Sequence, residues 1–95
     1  MYSISRTRDF EKSYKRIKEA GRLKSRVKES LLAVIDILAQ GKKLPPEYKD
    51  HQLHGELRHY RECHIKGDLL LIYQIRKQEL LLVLVDIGTH SYLSL

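Results

Sequence analysis

The sequence lacks the means for an internal disulfide, a signal peptide and a membrane span. Its one cysteine, Cys63, cannot form an internal disulfide, so the fold needs no oxidising compartment. The N-terminal segment MYSISRTRDF lacks the apolar stretch of a signal peptide, and the longest apolar run is far too short to cross a bilayer. We therefore expect a cytoplasmic protein that does not act at a membrane.

Composition and length predict one folded domain spanning residues 1–95. An apolar content of 42% and a charged content of 32% are typical of a folded soluble chain rather than a disordered one. No internal repeat or low-complexity segment divides the chain. A chain of 95 residues is long enough for a single core, although it is near the small end of the range of domain sizes.

Positive charge is concentrated in one quarter of the chain. Ten of the 18 lysines and arginines lie between Arg6 and Lys28, with only three acidic residues among them. This asymmetry is typical of a binding surface for a polyanion, either a nucleic acid or an acidic protein. A solvated helix face would show the same pattern, so charge alone does not identify a partner.

The hydrophobic spacing predicts two helices followed by strands. Thr7 is a candidate N-cap, apolar residues recur at helical spacing over 10–17, and Gly21 ends the first helix. A second apolar stripe runs over 23–38 and stops before Gly41. The two segments predict an antiparallel helical hairpin with one common apolar face.

The rest of the chain predicts a small sheet. Residues 2–5 could form a short strand, and 57–65, 68–75 and 79–87 predict a three-stranded antiparallel meander. Residues 89–95 form a tail with at most one turn of helix. The order β-α-α-β-β-β is an α+β fold, with the helical hairpin packed on one face of a small, mainly antiparallel sheet.

Two predicted strands, 68–75 and 79–87, have apolar residues at both sets of alternating positions and therefore on both faces of the sheet. The helices can cover only one face of the sheet. The chain's own loops and tail, or another protein, must cover the other face. We favour another protein, because so small a chain has little left for that purpose.

Four of the five histidines fall within residues 51–64, and the fifth is His90. Strand alternation puts His64 on the same face as Glu62 and turns Cys63 to the opposite face. A turn through Lys66-Gly67 would return the chain so that Asp68 lies beside His64.

The histidines and the cysteine do not match a metal signature. His51-x-x-His54 and Cys63-His64 lack zinc-ligand spacing, and adjacent strand residues point to opposite faces. We therefore expect no metal and no cofactor. Cys63 is predicted to be a buried apolar residue rather than a nucleophile.

Acid/base cleavage of RNA fits the residues best. Attack by the 2′-hydroxyl of RNA needs a base, an acid for the leaving 5′-oxygen and positive charge on the phosphate. Imidazoles suit the first two tasks because they titrate near neutral pH, and lysines or arginines supply the third. The candidate set is His51, His64, Asp68 and His90.

The segment from about Pro46 to Leu93 resembles the YafQ branch of the RelE/ParE superfamily of bacterial toxin–antitoxin ribonucleases. The matching motifs are DHQLHG at 50–55, YRECHIKGD at 60–68 and GTH at 88–90. The resemblance implies the same fold and a toxin that cuts mRNA in the ribosomal A site without a metal. It also implies three partners: a cognate antitoxin, the ribosome with its RNA, and mRNA.

The resemblance assigns the catalytic positions to His51, His64, Asp68 and His90. His51 and His90 would transfer protons, while His64 and Asp68 would orient the scissile nucleotide. Ribosomal or messenger RNA would contact basic side chains, for which the candidates are Lys12, Lys15, Arg16, Lys18, Arg22, Lys24, Arg26, Lys28, Lys49, Arg58 and Lys66.

The chain departs from the family pattern at several positions, of which Asp86 matters most. It stands four residues before His90, where a well-known relative has an arginine that could neutralise the phosphate. Two other functions stay open: a non-catalytic, ParE-like toxin directed at DNA gyrase, and a basic RNA-binding module. The histidine set disfavours the former, and the scattered aromatic residues disfavour the latter.

Overall fold

A five-stranded sheet carries two long helices on one face in this computed structural model, which describes residues 1–94. The strands are β1 (Ser3–Arg6), β2 (His51–Gln52), β3 (Arg61–Lys66), β4 (Leu69–Arg76) and β5 (Leu81–Gly88). The helices are α1 (Arg8–Glu19), α2 (Ser25–Ala39) and α3 (His90–Leu93), and 3₁₀ turns cover Pro46–Tyr48, Gly55–Leu57 and Lys77–Glu79.

The strand order in the sheet is β1-β5-β4-β3-β2. β1 runs parallel to β5, and the other neighbours are antiparallel. The predicted α+β class and the predicted order of the main elements are confirmed. β2 was not predicted, because a strand of two residues is too short to show an alternating pattern.

The helix boundaries lie where the sequence signals predict them. The Thr7 hydroxyl accepts a hydrogen bond from the amide of Phe10 at 3.0 Å, so Thr7 is the N-cap of α1. Gly21 and Gly41 have φ angles of +72° and +76°, a conformation that ends a helix and that glycine adopts without a steric cost.

The core lies between the helices and one face of the sheet. α1 contributes Phe10 and Ile17, and α2 contributes Leu31, Val34 and Leu38. The sheet contributes Cys63, Ile65, Leu69, Leu71, Tyr73, Leu82, Leu84 and Ile87. Cys63 is fully buried among these residues, as strand alternation predicts.

Part of the second face of the sheet is covered by the chain itself. Leu70 and Ile72 lie on this face with exposures of 0% and 5%. Ile72 borders the same small cavity as Leu57 and Leu93, which come from a 3₁₀ turn and from α3. The apolar residues that β5 places on this face are only partly buried. The hypothesis that another protein covers this face is therefore wrong for Leu70 and Ile72 and stays a prediction for β5.

The predicted strand over 57–65 begins later, at Arg61. Gly55 has a φ of +64°, and Leu57 closes a 3₁₀ turn instead of extending the strand. The predicted helical turn in the tail is confirmed as α3. Leu95, the last residue of that tail, lies outside the described residues. Among the described helices, none is both long and apolar enough to span a bilayer.

Loss of the α1 N-cap should destabilise the fold. The Thr7 hydroxyl also donates to the carbonyl of Val85 at 2.6 Å, so it links α1 to β5. We expect Thr7→Ala to lower the free energy of unfolding by about 1–2 kcal/mol. Urea denaturation measures the change, and Ser25→Ala at the exposed start of α2 is the matched control. Equal stability of the two variants would contradict the link.

Burial should make the Cys63 thiol unreactive. Removal from water disfavours the thiolate, and the nearby Asp50 and Glu62 carboxylates add to this, so the pKa of Cys63 rises to about 12. We expect no reaction of the folded protein with Ellman's reagent at pH 8 and full reaction in urea. The same shift favours the folded state below the ordinary thiol pKa and loses that contribution as the pH rises towards 12. Rapid labelling of the folded protein would contradict the assignment.

Candidate active site

Three histidines from separate parts of the chain converge on one buried glutamate, Glu62. His51 lies on β2 directly opposite Glu62 in the antiparallel pair of β2 and β3. His64 follows two residues later on β3 and therefore points to the same side of the sheet. His90 is the first residue of α3, just beyond the end of β5. Strand pairing and alternation thus bring together groups that are far apart in the sequence.

The cluster has a buried acidic centre and accessible imidazoles. Oε1 of Glu62 lies 3.3 Å from Nε2 of His51 and 3.7 Å from Nε2 of His64. The ring centroid of His64 is 6.4 Å from that of His51 and 5.8 Å from that of His90. The Glu62 side chain is 4% exposed, while that of His51 is 48% exposed. Substrate can therefore reach the imidazoles, whereas the carboxylate can act only through them.

The hydrogen bonds of His51 determine where its proton lies. Nδ1 of His51 is 2.8 Å from the backbone carbonyl of Lys49, and a carbonyl oxygen only accepts, so Nδ1 carries a proton. Nε2 then faces the Glu62 carboxylate at 3.3 Å. The carboxylate of Glu62 therefore lies next to the second ring nitrogen of His51, where it can orient the imidazole.

A second polar group fixes the chain immediately before His51. Arg61 donates two hydrogen bonds to Asp50, at 3.2 and 3.0 Å, and the Tyr73 hydroxyl donates to the same carboxylate. The hydrogen bond to Asp50 raises the pKa of Arg61, and burial together with Asp50 raises the pKa of Tyr73. Because Arg61 is engaged in this way, it does not face the histidine cluster, as its strand parity predicts.

Of the four predicted catalytic residues, the structure brings together His51, His64 and His90 but not Asp68. The cross-strand partner of His64 is Leu70, and Lys66 pairs with Leu69 after a bulge. Asp68 is exposed in the turn with Gly67 rather than beside His64. The prediction of an adjacent pair was wrong, because a two-residue turn with a bulge shifts the register beyond it.

All eleven predicted RNA-contacting side chains are exposed. Some of them surround the end of the sheet that carries His90. Arg16 and Arg22 line a cavity of about 480 Å³ with Thr89 and Ser91, the two neighbours of His90. A cavity of about 280 Å³ on the other side of Thr89 is lined by Arg22, Lys24, Lys66 and Asp68, among others. Positive charge therefore lies beside the residues that flank His90 in the sequence as well as along α1.

Glu62, His64 and His90 lie close enough together to offer three ligand atoms to one metal ion. One potential ligand atom from each lies within 4.8 Å of the other two. One carboxylate oxygen and two imidazole nitrogens suit zinc or copper ions. The sequence pattern pointed to other pairs, His51 with His54 and Cys63 with His64, and on that basis predicted no metal site. The structure brings a different donor set together, and the expected absence of a metal stays a prediction.

Glu62 is the site residue that the sequence prediction missed. It was placed on the same strand face as His64, yet it was omitted from the candidate set. The sequence feature that points to Glu62 is its position two residues before His64 in a strand, which places both side chains on one face. Its burial and its pairing with His51 depend on β2, which the sequence pattern did not reveal.

Comparison with known proteins relates the chain to bacterial toxins. The mRNA interferase toxin YafQ of Escherichia coli strain K12 is 42% identical over 50 residues, which is 53% of this chain and 52% of that protein. Alignments with curated relatives cover between 30% and 52% of those proteins' lengths.

Solved structures match nearly the whole chain. The metal-bound toxin from Helicobacter pylori is 45% identical and covers 98% of this chain and 99% of its own, with a TM-score of 0.84. The toxin in the E. coli DinJ–YafQ complex is 30% identical, with 98% of each chain covered and a TM-score of 0.82. The family model described as the bacterial toxin of type II toxin–antitoxin systems, YafQ, matches residues 2–94. The chain therefore belongs to the YafQ family of type II toxin–antitoxin toxins.

Proposed function

We propose that this protein is an endoribonuclease that cleaves mRNA on the ribosome and so inhibits translation. The observation that carries the proposal is the cluster of His51, His64 and His90 around the buried Glu62. An E. coli relative named an mRNA interferase and the exposed basic side chains beside His90 support it. The action would take place in the cytoplasm, where ribosomes translate.

The cluster can supply both proton transfers of RNA cleavage. A base removes the proton of the 2′-hydroxyl, whose oxygen attacks the adjacent phosphorus. The bond to the 5′-oxygen breaks, and an acid protonates that oxygen, which leaves a 2′,3′-cyclic phosphate and a 5′-hydroxyl. His51 and His90 are the candidates for the two transfers, and His64 is close to both rings. Glu62 stabilises whichever neighbouring imidazole becomes protonated.

The cation that neutralises the scissile phosphate must be a residue other than Arg61, because Arg61 is bound to Asp50. Arg22 and Lys66 line the cavity beside Thr89 and are the proposed cations. Asp68 borders the same cavity, so we propose that it contacts the nucleotide that flanks the cleavage site. The remaining basic residues of α1 and α2 would contact ribosomal RNA and give binding that weakens with salt.

The proposed protein partner is a cognate antitoxin, in keeping with the E. coli relative whose structure is a complex with DinJ. Leu70 and Ile72 are already covered by the chain, so that part of the second sheet face is not the docking surface.

A metal ion at Glu62, His64 and His90 would block this chemistry. Metal coordination needs the same nitrogen lone pairs that would accept protons. We therefore propose that zinc or copper inhibits the enzyme and that cleavage itself needs no metal. The metal-bound toxin from H. pylori is a relative for which a metal complex has been solved.

Replacement of His90 should abolish cleavage without unfolding the protein. We expect His90→Ala to lower the rate by at least 100-fold, the typical contribution of a general acid or base. Primer extension on mRNA in an in vitro translation reaction measures cleavage, and circular dichroism measures folding. His59→Ala, which removes an exposed histidine outside the cluster, is the matched control and should cleave normally.

The same assay separates the alternatives. Codon-phased cuts support the proposed reaction, whereas intact mRNA with blocked DNA supercoiling by gyrase would favour a ParE-like toxin. The absence of both effects would favour a plain RNA-binding module. Full activity of His90→Ala would refute the proton-transfer role.

Metal should act as an inhibitor rather than a cofactor. We expect EDTA to leave cleavage unchanged and saturating Zn²⁺ to suppress it. Isothermal titration calorimetry should show one Zn²⁺ per chain, with an affinity at least tenfold weaker in His90→Ala. Loss of activity in EDTA, restored by Zn²⁺, would contradict the proposal.

A further inference from the structure

The turn that carries His90 cannot hold its position by itself. α3 contains only four residues, and an isolated helix of that length is unstable in water. Its N-cap, Thr89, accepts a hydrogen bond from the amide of Tyr92 at 3.2 Å, which closes the turn locally. This bond does not fix the turn relative to the sheet. Contacts from elsewhere in the fold must therefore orient His90 towards His64.

Tyr92 makes such contacts through its hydroxyl. The Ser13 hydroxyl donates to Oδ1 of Asp86 at 2.6 Å, because an ionised carboxylate only accepts. Ser13 has then used its one proton, so the Tyr92 hydroxyl is the donor in its 3.0 Å contact with Ser13. Asp86 is held in turn by the amide of Ile87 at 2.8 Å. The chain of hydrogen bonds runs from α3 through the buried Ser13 of α1 to β5.

The ring of Tyr92 is restrained on two further sides. The guanidinium carbon of Arg16 lies 3.9 Å from the ring centroid, which is cation–π geometry. The other contact is with the backbone of β5 at Gly88. A Cβ added there would lie 2.5 Å from Cδ2 of Tyr92, so a side chain at residue 88 would displace the ring. The φ of Gly88 is not positive, so the steric contact, rather than backbone conformation, favours glycine here.

We propose that Tyr92 is a positioning residue that holds His90 against His64 through Ser13, Asp86 and Gly88. Tyr92 does not contact the substrate in this role. The inference rests on the proposed ribonuclease function for its kinetic readout, while the geometry of His90 can be measured without activity. This inference also assigns a role to Asp86, because its carboxylate holds the Ser13 hydroxyl that Tyr92 contacts.

The test compares Tyr92→Ala and Tyr92→Phe with Ser91→Ala, an exposed neighbour in α3, as control. We expect Tyr92→Ala to lower kcat at least tenfold with KM for ribosomes within twofold of wild type. Tyr92→Phe removes the hydrogen bond to Ser13 but keeps the contacts of the ring with Arg16 and Gly88, so kcat should fall by an intermediate factor of about three to five. An NMR contact between the rings of His64 and His90 should be weaker in Tyr92→Phe than in wild type and absent in Tyr92→Ala. A tenfold loss of kcat with this contact intact, or no loss of kcat, would overturn the proposal.

A double-mutant cycle tests the contact between Gly88 and Tyr92, and its Gly88→Ala arm keeps the proposal testable if Tyr92→Ala unfolds in part. Gly88→Ala should lower kcat by a similar factor, since its methyl group displaces the ring. In Gly88→Ala/Tyr92→Ala the ring is absent, so the loss should equal that of Tyr92→Ala within twofold. A loss of kcat in the double variant equal to the product of the two single losses would refute the coupling. An inactive wild-type protein would refute the ribonuclease proposal instead and leave the NMR comparison to decide this one.

Discussion

A carboxylate removed from water is the constraint on which the candidate site depends. A polar side chain that is 4% exposed is costly to bury unless polar neighbours compensate for the lost water, and Glu62 has His51 and His64 as such neighbours. The pairing of β2 with β3 sets His51 opposite Glu62. The Asp50–Arg61–Tyr73 group fixes the residue before His51. The buried acid thus organises the imidazoles that surround it.

The same donor atoms serve two incompatible purposes. A carboxylate with neighbouring imidazoles can pass protons, and it can also chelate a transition metal. Proton transfer needs free nitrogen lone pairs, whereas coordination occupies them. An enzyme that uses this cluster for acid/base chemistry is therefore open to inhibition by zinc or copper. Asp86 accepts hydrogen bonds from the Ser13 hydroxyl and from the amide of Ile87, so its carboxylate is engaged within the fold.

The small sheet is apolar on both faces, and the chain covers them unequally. Helices α1 and α2 cover one face, while Leu57 and Leu93 border a small cavity beside Ile72 on the other. Leu70 and Ile72 are buried on that second face, whereas the apolar residues that β5 places there are only partly buried.

The sequence by itself determined the order of the main elements and pointed to the three histidines of the candidate cluster. Thr7, Gly21 and Gly41 mark the helix ends through local backbone chemistry, and alternation in β3 separates Cys63 from His64. Local patterns carry this information because it depends on neighbours in the chain. Tertiary structure alone decided the rest. The partnership of Glu62 with His51, the separation of Asp68 from His64 and the anchoring of Tyr92 at Gly88 depend on strand register and on contacts between distant segments. A one-residue shift in register changes such contacts without altering any local pattern, so no periodicity in the sequence could reveal them.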